Sequence, residues 1–284
     1  MKTKVLISSD CGIESLPGGS FVGVLKDQIE FSPLEVYGSA NEMDFRAFNL
    51  RLKYDVGVNP IIKGCSEELL YDIFDDYEME GYERFYLILS YQKLQYYKPL
   101  VEKIIKDNRK IQVFYCTIKS EGYPVIYMAM EAQRMFDKSR SIPDVERMIN
   151  FVDANNTTYL YSPTEDKVPK IEKYSVDEEA FEIKGNSSLL YLLKKNDSSI
   201  IRLKEKSKSI APYIDSLLIE MDIRKVIPFV MYTNKHSEYT KAIMKELGKM
   251  FEKDDILALE MPPFMVLKYG KYSIALGYVV KYDK

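Results

Sequence analysis

Phe85-Tyr86-Leu87-Ile88-Leu89-Ser90-Tyr91-Gln92-Lys93-Leu94-Gln95-Tyr96-Tyr97 joins an apolar run to a segment with helical spacing, and a serine stands at the junction. The run reads as a buried strand and the residues beyond it as the helix that the strand feeds. Ser90 falls where unpaired backbone N–H groups and the positive end of a helix dipole converge, a place that suits a carboxylate or a phosphate. The same hydroxyl serves equally well as an N-cap, so a ligand site and a cap are both open readings.

Working outward, residues 5–7 form another short apolar run, followed by the polar turn Ser8-Ser9-Asp10-Cys11-Gly12. Residues 111–115 repeat the arrangement and end at Cys116-Thr117. Ser66, with two acids behind it and apolar positions one turn apart over 67–74, predicts an amphipathic helix. Helical spacing recurs over 100–106 and 125–136. Strands alternating with helices imply parallel pairing through right-handed crossovers, with functional loops at the carboxyl ends of the strands.

The pattern changes near Val152, where Asn155-Asn156-Thr157-Thr158 and Ser162-Pro163-Thr164-Glu165-Asp166 mark turns around a short apolar piece. Beyond it, 189–193, 200–203, 226–232, 256–259 and 273–280 read as strands, and 210–221 and 238–251 as helices. This half is strand-rich with two helices, as in a sheet covered on one face. The 284 residues suffice for two domains with real cores, 1–152 and 153–284. The expected fold class is α/β.

Composition narrows the function. A net charge of −3, from 40 basic and 43 acidic residues, argues against a surface that tracks nucleic-acid phosphates. The basic start Met1-Lys2-Thr3-Lys4 precedes too short an apolar run for a signal segment, and no stretch is apolar enough for stable membrane insertion. A cytoplasmic protein is expected. Cys11, Cys65 and Cys116 are odd in number and lack CxxC spacing, and His236 is the one histidine, so neither a disulfide framework nor a metal site is indicated. His236 reads as a solvated loop residue without a catalytic partner.

Asp10 after its strand could bind a metal, attack a phosphoryl group or cap the turn, and turn-capping is the commoner use. Neither GxGxxG nor a Walker-type loop is present, and Gly18-Gly19 is only a loop signal. Lys63, Lys170 and Lys268 each lie in a stretch bordered by Gly or Pro, where a loop approaches a cleft more readily than a solvated helix face does. Each alone is more commonly a surface lysine. The 23 tyrosines, against 13 phenylalanines and no tryptophan, would suit a pocket greasy along its length and polar at its mouth, and would equally suit half-buried strands.

Taken in order, these segments resemble the DegV family, bacterial proteins that bind a fatty acid between two α/β domains. Some of them act as the acyl-carrier subunit of a fatty-acid kinase. Ser9-Asp10-Cys11 with Leu16-Pro17 looks like the family's opening T-D-S and trailing L-P. Asn59-Pro60-Ile61-Ile62-Lys63-Gly64-Cys65-Ser66 falls at its P-x-T-S-Q-P-S loop, and Ser90 to Tyr97 at its S-S-x-L-S-G-T-Y. Tyr115-Cys116 through Ser120 and Gly122 tracks D-S-x-x-x-S-x-G. Val168-Pro169-Lys170-Ile171 occupies the G-G-R-I position, and Leu267-Lys268-Tyr269-Gly270 the place of H-x-G.

The resemblance implies an N-terminal Rossmann-like parallel-sheet domain, with 20–60 as an excursion toward the second domain, a C-terminal α/β sandwich, and a ligand cleft between them. It also implies that Ser9, Asp10, Ile62, Lys63, Gly64, Ser90, Tyr91, Lys268 and Tyr269 contact the ligand and that Lys170 contacts a partner. The family's Thr-Ser pair becomes Ile62-Lys63, its second strand-end Ser becomes Tyr91, its Arg becomes Lys170 and its His becomes Lys268. A lysine can hold a carboxylate by a charge-assisted hydrogen bond but lacks the planar fork of arginine.

The function so implied is non-catalytic binding of a long-chain fatty acid in an interdomain tunnel, with no cofactor, no metal and at most a carrier role toward a fatty-acid kinase subunit. Two alternatives remain at this stage. One is an interaction or regulatory protein that keeps the fold with a degenerate lipid site; the other is an α/β enzyme acting on a small anionic substrate through Asp10, Ser90 and a lysine.

Overall fold

The computed structural model describes residues 1–13, 16, 21–38, 48, 50–51, 60–106, 110–162, 189–193, 225–233, 235, 237–269 and 273–282. Gly18, Gly19, Asn59, Lys170, His236, Gly270 and the expected elements at 200–203 and 210–221 lie outside them. The chain divides into two compact units, Met1–Asp153 and Ala154–Lys284.

In the first unit the elements run β1 (Thr3–Ser8), β2 (Gly23–Leu25), β3 (Gln28–Ser32), β4 (Glu35–Gly38), β5 (Ile61–Lys63), α1 (Glu67–Met79), β6 (Arg84–Ser90), α2 (Tyr91–Lys106), β7 (Gln112–Ile118), α3 (Tyr123–Asp137) and α4 (Ile142–Asn155). A four-stranded sheet of order β2-β1-β6-β7 is parallel throughout. Its inner strands are near-continuous apolar runs because both faces are covered: Val5, Leu6, Ile7, Phe85, Tyr86 and Leu87 are fully buried.

β2 pairs with Leu6–Ser8, and among the described residues no strand lies beside the start of β1 on that side. Gln133 of α3 fills the gap. Its side-chain oxygen accepts from the Val5 N–H at 2.8 Å, and its amide nitrogen donates to the Thr3 carbonyl at 3.0 Å. A side chain thus supplies the ladder contacts that a strand would give.

The helices follow their expected signals with some differences in extent. Ser66 caps α1, its Oγ accepting from the Leu69 N–H at 3.2 Å, and Leu70, Ile73 and Phe74 form the buried face. The helix expected directly after Ser90 and the helical spacing at 100–106 belong to one helix, α2, which continues through Pro99. Proline removes one backbone donor, but Tyr97, Val101 and Ile104 bury one continuous stripe that holds the helix across it. β7 runs on to Ile118, so Cys116 and Thr117 lie within the strand. α4 was not anticipated, although Ser141 and Asp144 form a capping box around it, the Ser141 Oγ donating to Asp144 at 2.6 Å and accepting from the Asp144 N–H at 3.3 Å.

Of the stretch 20–60, Gly23–Leu25 belongs to the parallel sheet. β3 and β4, joined by β5, form a separate antiparallel sheet of order β4-β3-β5, pinned by the Glu30–Lys63 ion pair.

The second unit contains β8 (Thr157–Ser162), β9 (Leu189–Leu193), β10 (Val226–Tyr232), α5 (Glu238–Leu247), β11 (Leu257–Glu260), α6 (Pro263–Tyr269) and β12 (Ile274–Val280). Its sheet has the order β11-β10-β12-β8-β9 and is mixed, with β10 and β11 parallel and the other pairs antiparallel. Ile243 and Leu247 of α5 pack on Val230, Tyr232 and Leu276. The helix expected over 238–251 stops at Leu247, where Gly248 takes the C-cap. Gly277 of β12 lies so close to β8 that a Cβ there would overlap the Thr157 carbonyl oxygen.

Candidate ligand site at the strand ends of the first unit

From β1 the chain moves out to β2 on one side, and from β6 it moves out to β7 on the other. The boundary between β1 and β6 is therefore a topological switch point, where the loops leaving neighbouring strands diverge and where open α/β sheets commonly bind ligands. Asp10 follows one of these strands and Ser90 ends the other.

After β1 the chain makes a 3-10 turn, Ser9–Cys11, closed by Gly12 at φ 81°. The buried Ser9 Oγ accepts from the Asp27 N–H at 3.0 Å, which ties the connection between β2 and β3 to this turn. After β6, the Ser90 Oγ accepts from the Lys93 N–H at 3.4 Å. Ser90 is thus an N-cap, and it sets Lys93 in the first turn of α2.

Lys93 is the hub. Its ammonium donates to the Asp27 carboxylate and, at 3.0 Å, to the Ser8 Oγ, and it stands 3.3 Å from Asp10 Oδ2. The fully buried Asp27 also accepts from the Ser8 hydroxyl and, through Oδ1, from the Tyr97 hydroxyl. Tyr97 in turn accepts from the Cys65 N–H at 3.0 Å, and the neighbouring Tyr96 hydroxyl donates to the Cys65 carbonyl at 3.1 Å. Gly64 lies directly against the Tyr96 ring.

Burial pushes the Asp27 carboxyl above its ordinary range, and the Lys93 charge opposes that push. Burial alone would lower Lys93, but the Asp10 and Asp27 carboxylates outweigh it and leave its pKa raised. Tyr97 is pushed up by burial and then by the Asp27 charge, so it remains a donor. The same two causes push the Cys65 thiol up to about 12. The cluster thus sets two carboxyl groups against one ammonium. Asp27 is its inner wall, while Asp10, with 40% of its side chain exposed, is its rim.

The structure thus draws Ser9, Asp10, Gly64 and Ser90 toward one network, through Ser8, Asp27, Lys93 and Tyr97, which sequence reasoning did not select. Tyr91 begins α2 beside them and is largely exposed. Ile62 and Lys63 lie in β5, where Ile62 is exposed and the Lys63 ammonium pairs with Glu30. The expectation that Lys63 and Lys268 sit on loops is corrected: the first is in a strand, and Lys268 and Tyr269 close the α6 helix. Gly64 follows the end of β5 rather than marking a loop around Lys63. The segment ending at Gly122 is held by Asp153, which accepts from the Ser120 N–H at 2.9 Å.

Among the described residues no group of three or more His, Cys, Asp and Glu side chains could hold a metal ion, and no helix is long and apolar enough to cross a membrane.

No sequence-family model matches the chain, and no curated protein matches it. Solved structures do. A fatty-acid-binding DegV family protein from Streptococcus agalactiae has a TM-score of 0.76 at 14% identity, over 99% of this chain and 100% of its own. A Thermus thermophilus DegV family protein, described for its fatty-acid binding, has a TM-score of 0.76 at 12% identity, with 99% and 100% covered. A stearic acid-binding protein from Eubacterium ventriosum has a TM-score of 0.74 at 15% identity, with 98% of each chain covered. The likeness runs the full length of the molecules, and the chain has the two-domain α/β fold of the DegV proteins.

Proposed function

We propose that this chain is a DegV-family protein that binds one long-chain fatty acid and does not transform it. The observation that carries this reading is the full-length likeness to proteins described as fatty-acid-binding, one of them as stearic acid-binding. The polar cluster at the β1–β6 switch point supports it by offering a head-group end, with Ser8, Asp10 and Asp27 around the Lys93 ammonium and Ser9 and Ser90 bonded to the backbone N–H groups of Asp27 and Lys93. The acyl chain supplies most of the affinity: at about 0.8 kcal/mol per buried methylene, a chain of about 16 carbons contributes on the order of 10 kcal/mol before ordering costs. Substitutions at the head group therefore leave binding in place.

In this reading the protein works in the cytoplasm as a fatty-acid carrier, and it is a poor acyl carrier for a fatty-acid kinase. Lysines stand at Lys170 and Lys268, where the family has Arg and His. A lysine offers neither a planar fork for a phosphoryl group nor a side chain that titrates near neutrality in water.

The test is native mass spectrometry of protein purified from cells, followed by extraction of the bound material. A co-purified mass equal to one fatty acid per chain is the expected result. A clean apo mass, together with no uptake of added fatty acid, would overturn the reading.

A further inference from the structure

The head-group end already holds a carboxylate that faces outward. The Lys93 ammonium has three donors. One is committed to Asp27, inside the protein, and one to Ser8. The third points to Asp10, whose contact at 3.3 Å is looser and whose side chain is 40% exposed. Asp27 cannot leave, because Tyr97, Ser8 and Lys93 all hold it in a fully buried position. Asp10 is therefore the partner that shares Lys93 with an arriving ligand.

Among the described residues the cluster packs against Cys11, next to Asp10, whose thiol donates to the Ser8 carbonyl, and against three groups farther along the chain: Cys65 on the loop after β5 and Tyr96 and Tyr97 on α2. All three are neutral near pH 7, and the Lys63 charge is taken up by Glu30. A fatty-acid anion thus meets one ammonium already matched by two carboxylates. Two carboxyl groups side by side on one rim cannot both ionise cheaply, and sharing a proton relieves the repulsion.

Resting on the fatty-acid reading above, we propose that Asp10 and the fatty-acid carboxyl group share one proton on the outer face of the Lys93 ammonium, so that each fatty-acid anion is bound together with one proton taken from solvent. Asp10 is then the residue that ties loading to pH. The acyl chain is held more weakly as pH rises, and Asp10→Asn, which offers an amide donor without a charge, removes the need for the proton.

The experiment titrates the full chain with a dansyl-labelled undecanoic acid, and with its methyl ester, from about pH 6 to about pH 9, where free fatty acids and Asp are ionised. The wild-type Kd for the acid is expected to rise about tenfold per pH unit, the slope of one linked proton. Asp10→Asn is expected to lose that slope and to bind the acid at least about tenfold more tightly at the alkaline end. Lys98→Met, an exposed lysine on α2 paired with Glu102, follows the wild type, and the ester shows no slope with any variant. Binding of the acid by the wild type with a pH-independent Kd, or an unchanged slope in a folded Asp10→Asn, overturns this inference and leaves fatty-acid binding standing. Failure of the folded wild type to bind either probe overturns the fatty-acid reading and the inference together.

Discussion

Gly64 and the ring of Tyr96 occupy adjoining space with no room for another atom: a Cβ on Gly64 would overlap the ring at Cδ1 and Cε1. The contact docks the loop after β5 onto α2 and lets the Tyr96 hydroxyl reach the Cys65 carbonyl. Gly64→Ala is expected to destabilise the first unit by about 1–2 kcal/mol, a modest figure because the ring is partly exposed and can swing away. Tyr96→Ala should absorb the added methyl, so the double variant is expected to be more stable than the sum of the singles. Urea denaturation of the four proteins measures the coupling.

Gln133→Leu keeps the volume of the side chain but leaves the Val5 N–H and the Thr3 carbonyl without their partner. Val5 is fully buried, and two stranded backbone groups should cost about 2–4 kcal/mol. Hydrogen exchange offers a local readout: the Val5 amide is expected to lose protection before the amides that pair β6 with β7. Equal protection in variant and wild type would show that water satisfies this edge.

Lys93→Met leaves Asp27 as a buried carboxylate without its cation, and a loss of about 3–5 kcal/mol at neutral pH is expected. Lys93→Met combined with Asp27→Asn should recover most of that loss, since no uncompensated charge remains. The pH dependence has a definite sign. Because the folded pKa of Lys93 is raised, its contribution is complete below its unfolded value of about 10.4 and disappears as pH rises through the folded value. Wild-type stability should therefore fall on the alkaline side, and this part of the fall should be missing from Lys93→Met.

Cys11, Cys65 and Cys116 are all buried, and burial pushes the Cys65 and Cys116 thiols upward, Cys65 to about 12. At pH near 7 the thiolate fraction of Cys65 and Cys116 is negligible and Cys11 is shielded by burial, so iodoacetamide is expected to label none of the three in the native protein and all three in denaturant. Rapid native labelling of Cys65 would mean that the loop after β5 opens away from Tyr97.

The strands were legible where burial on both faces leaves a continuous apolar run: 226–232 has the same bounds in sequence and structure, and 85–89 lacks only its flanking residues. Ser90 was legible because a cap is a local device. The cluster around Lys93 was not, because its members come from four places in the chain. Lys93 and Asp27 are 66 residues apart, and Tyr97 and Asp27 are 70 apart. In sequence, Asp27 sits in Leu25-Lys26-Asp27-Gln28, which reads as an ordinary solvated turn, and Lys93 reads as one more helix lysine. Only the neighbouring placement of β1 and β6 brings them together. A weak local signal did exist: Tyr97, Val101 and Ile104 put Tyr97 on the buried stripe of α2, and a buried tyrosine hydroxyl needs a partner.

The dependence of β1 on Gln133 also sets an order in time. Val5 is synthesised well before the side chain that completes its bonding, which lies 128 residues later. At about 5–20 residues per second, that separation is a delay on the order of ten seconds. Through that interval the stretch Val5-Leu6-Ile7, later fully buried, has no finished sheet to enter. The β1–β6 pairing can begin as soon as residues 84–88 emerge, but the far edge of β1 closes only with α3. A nascent chain halted between β7 and α3 would present that edge to its surroundings, and there the molecule is most open to holding by a chaperone or to pairing with another chain.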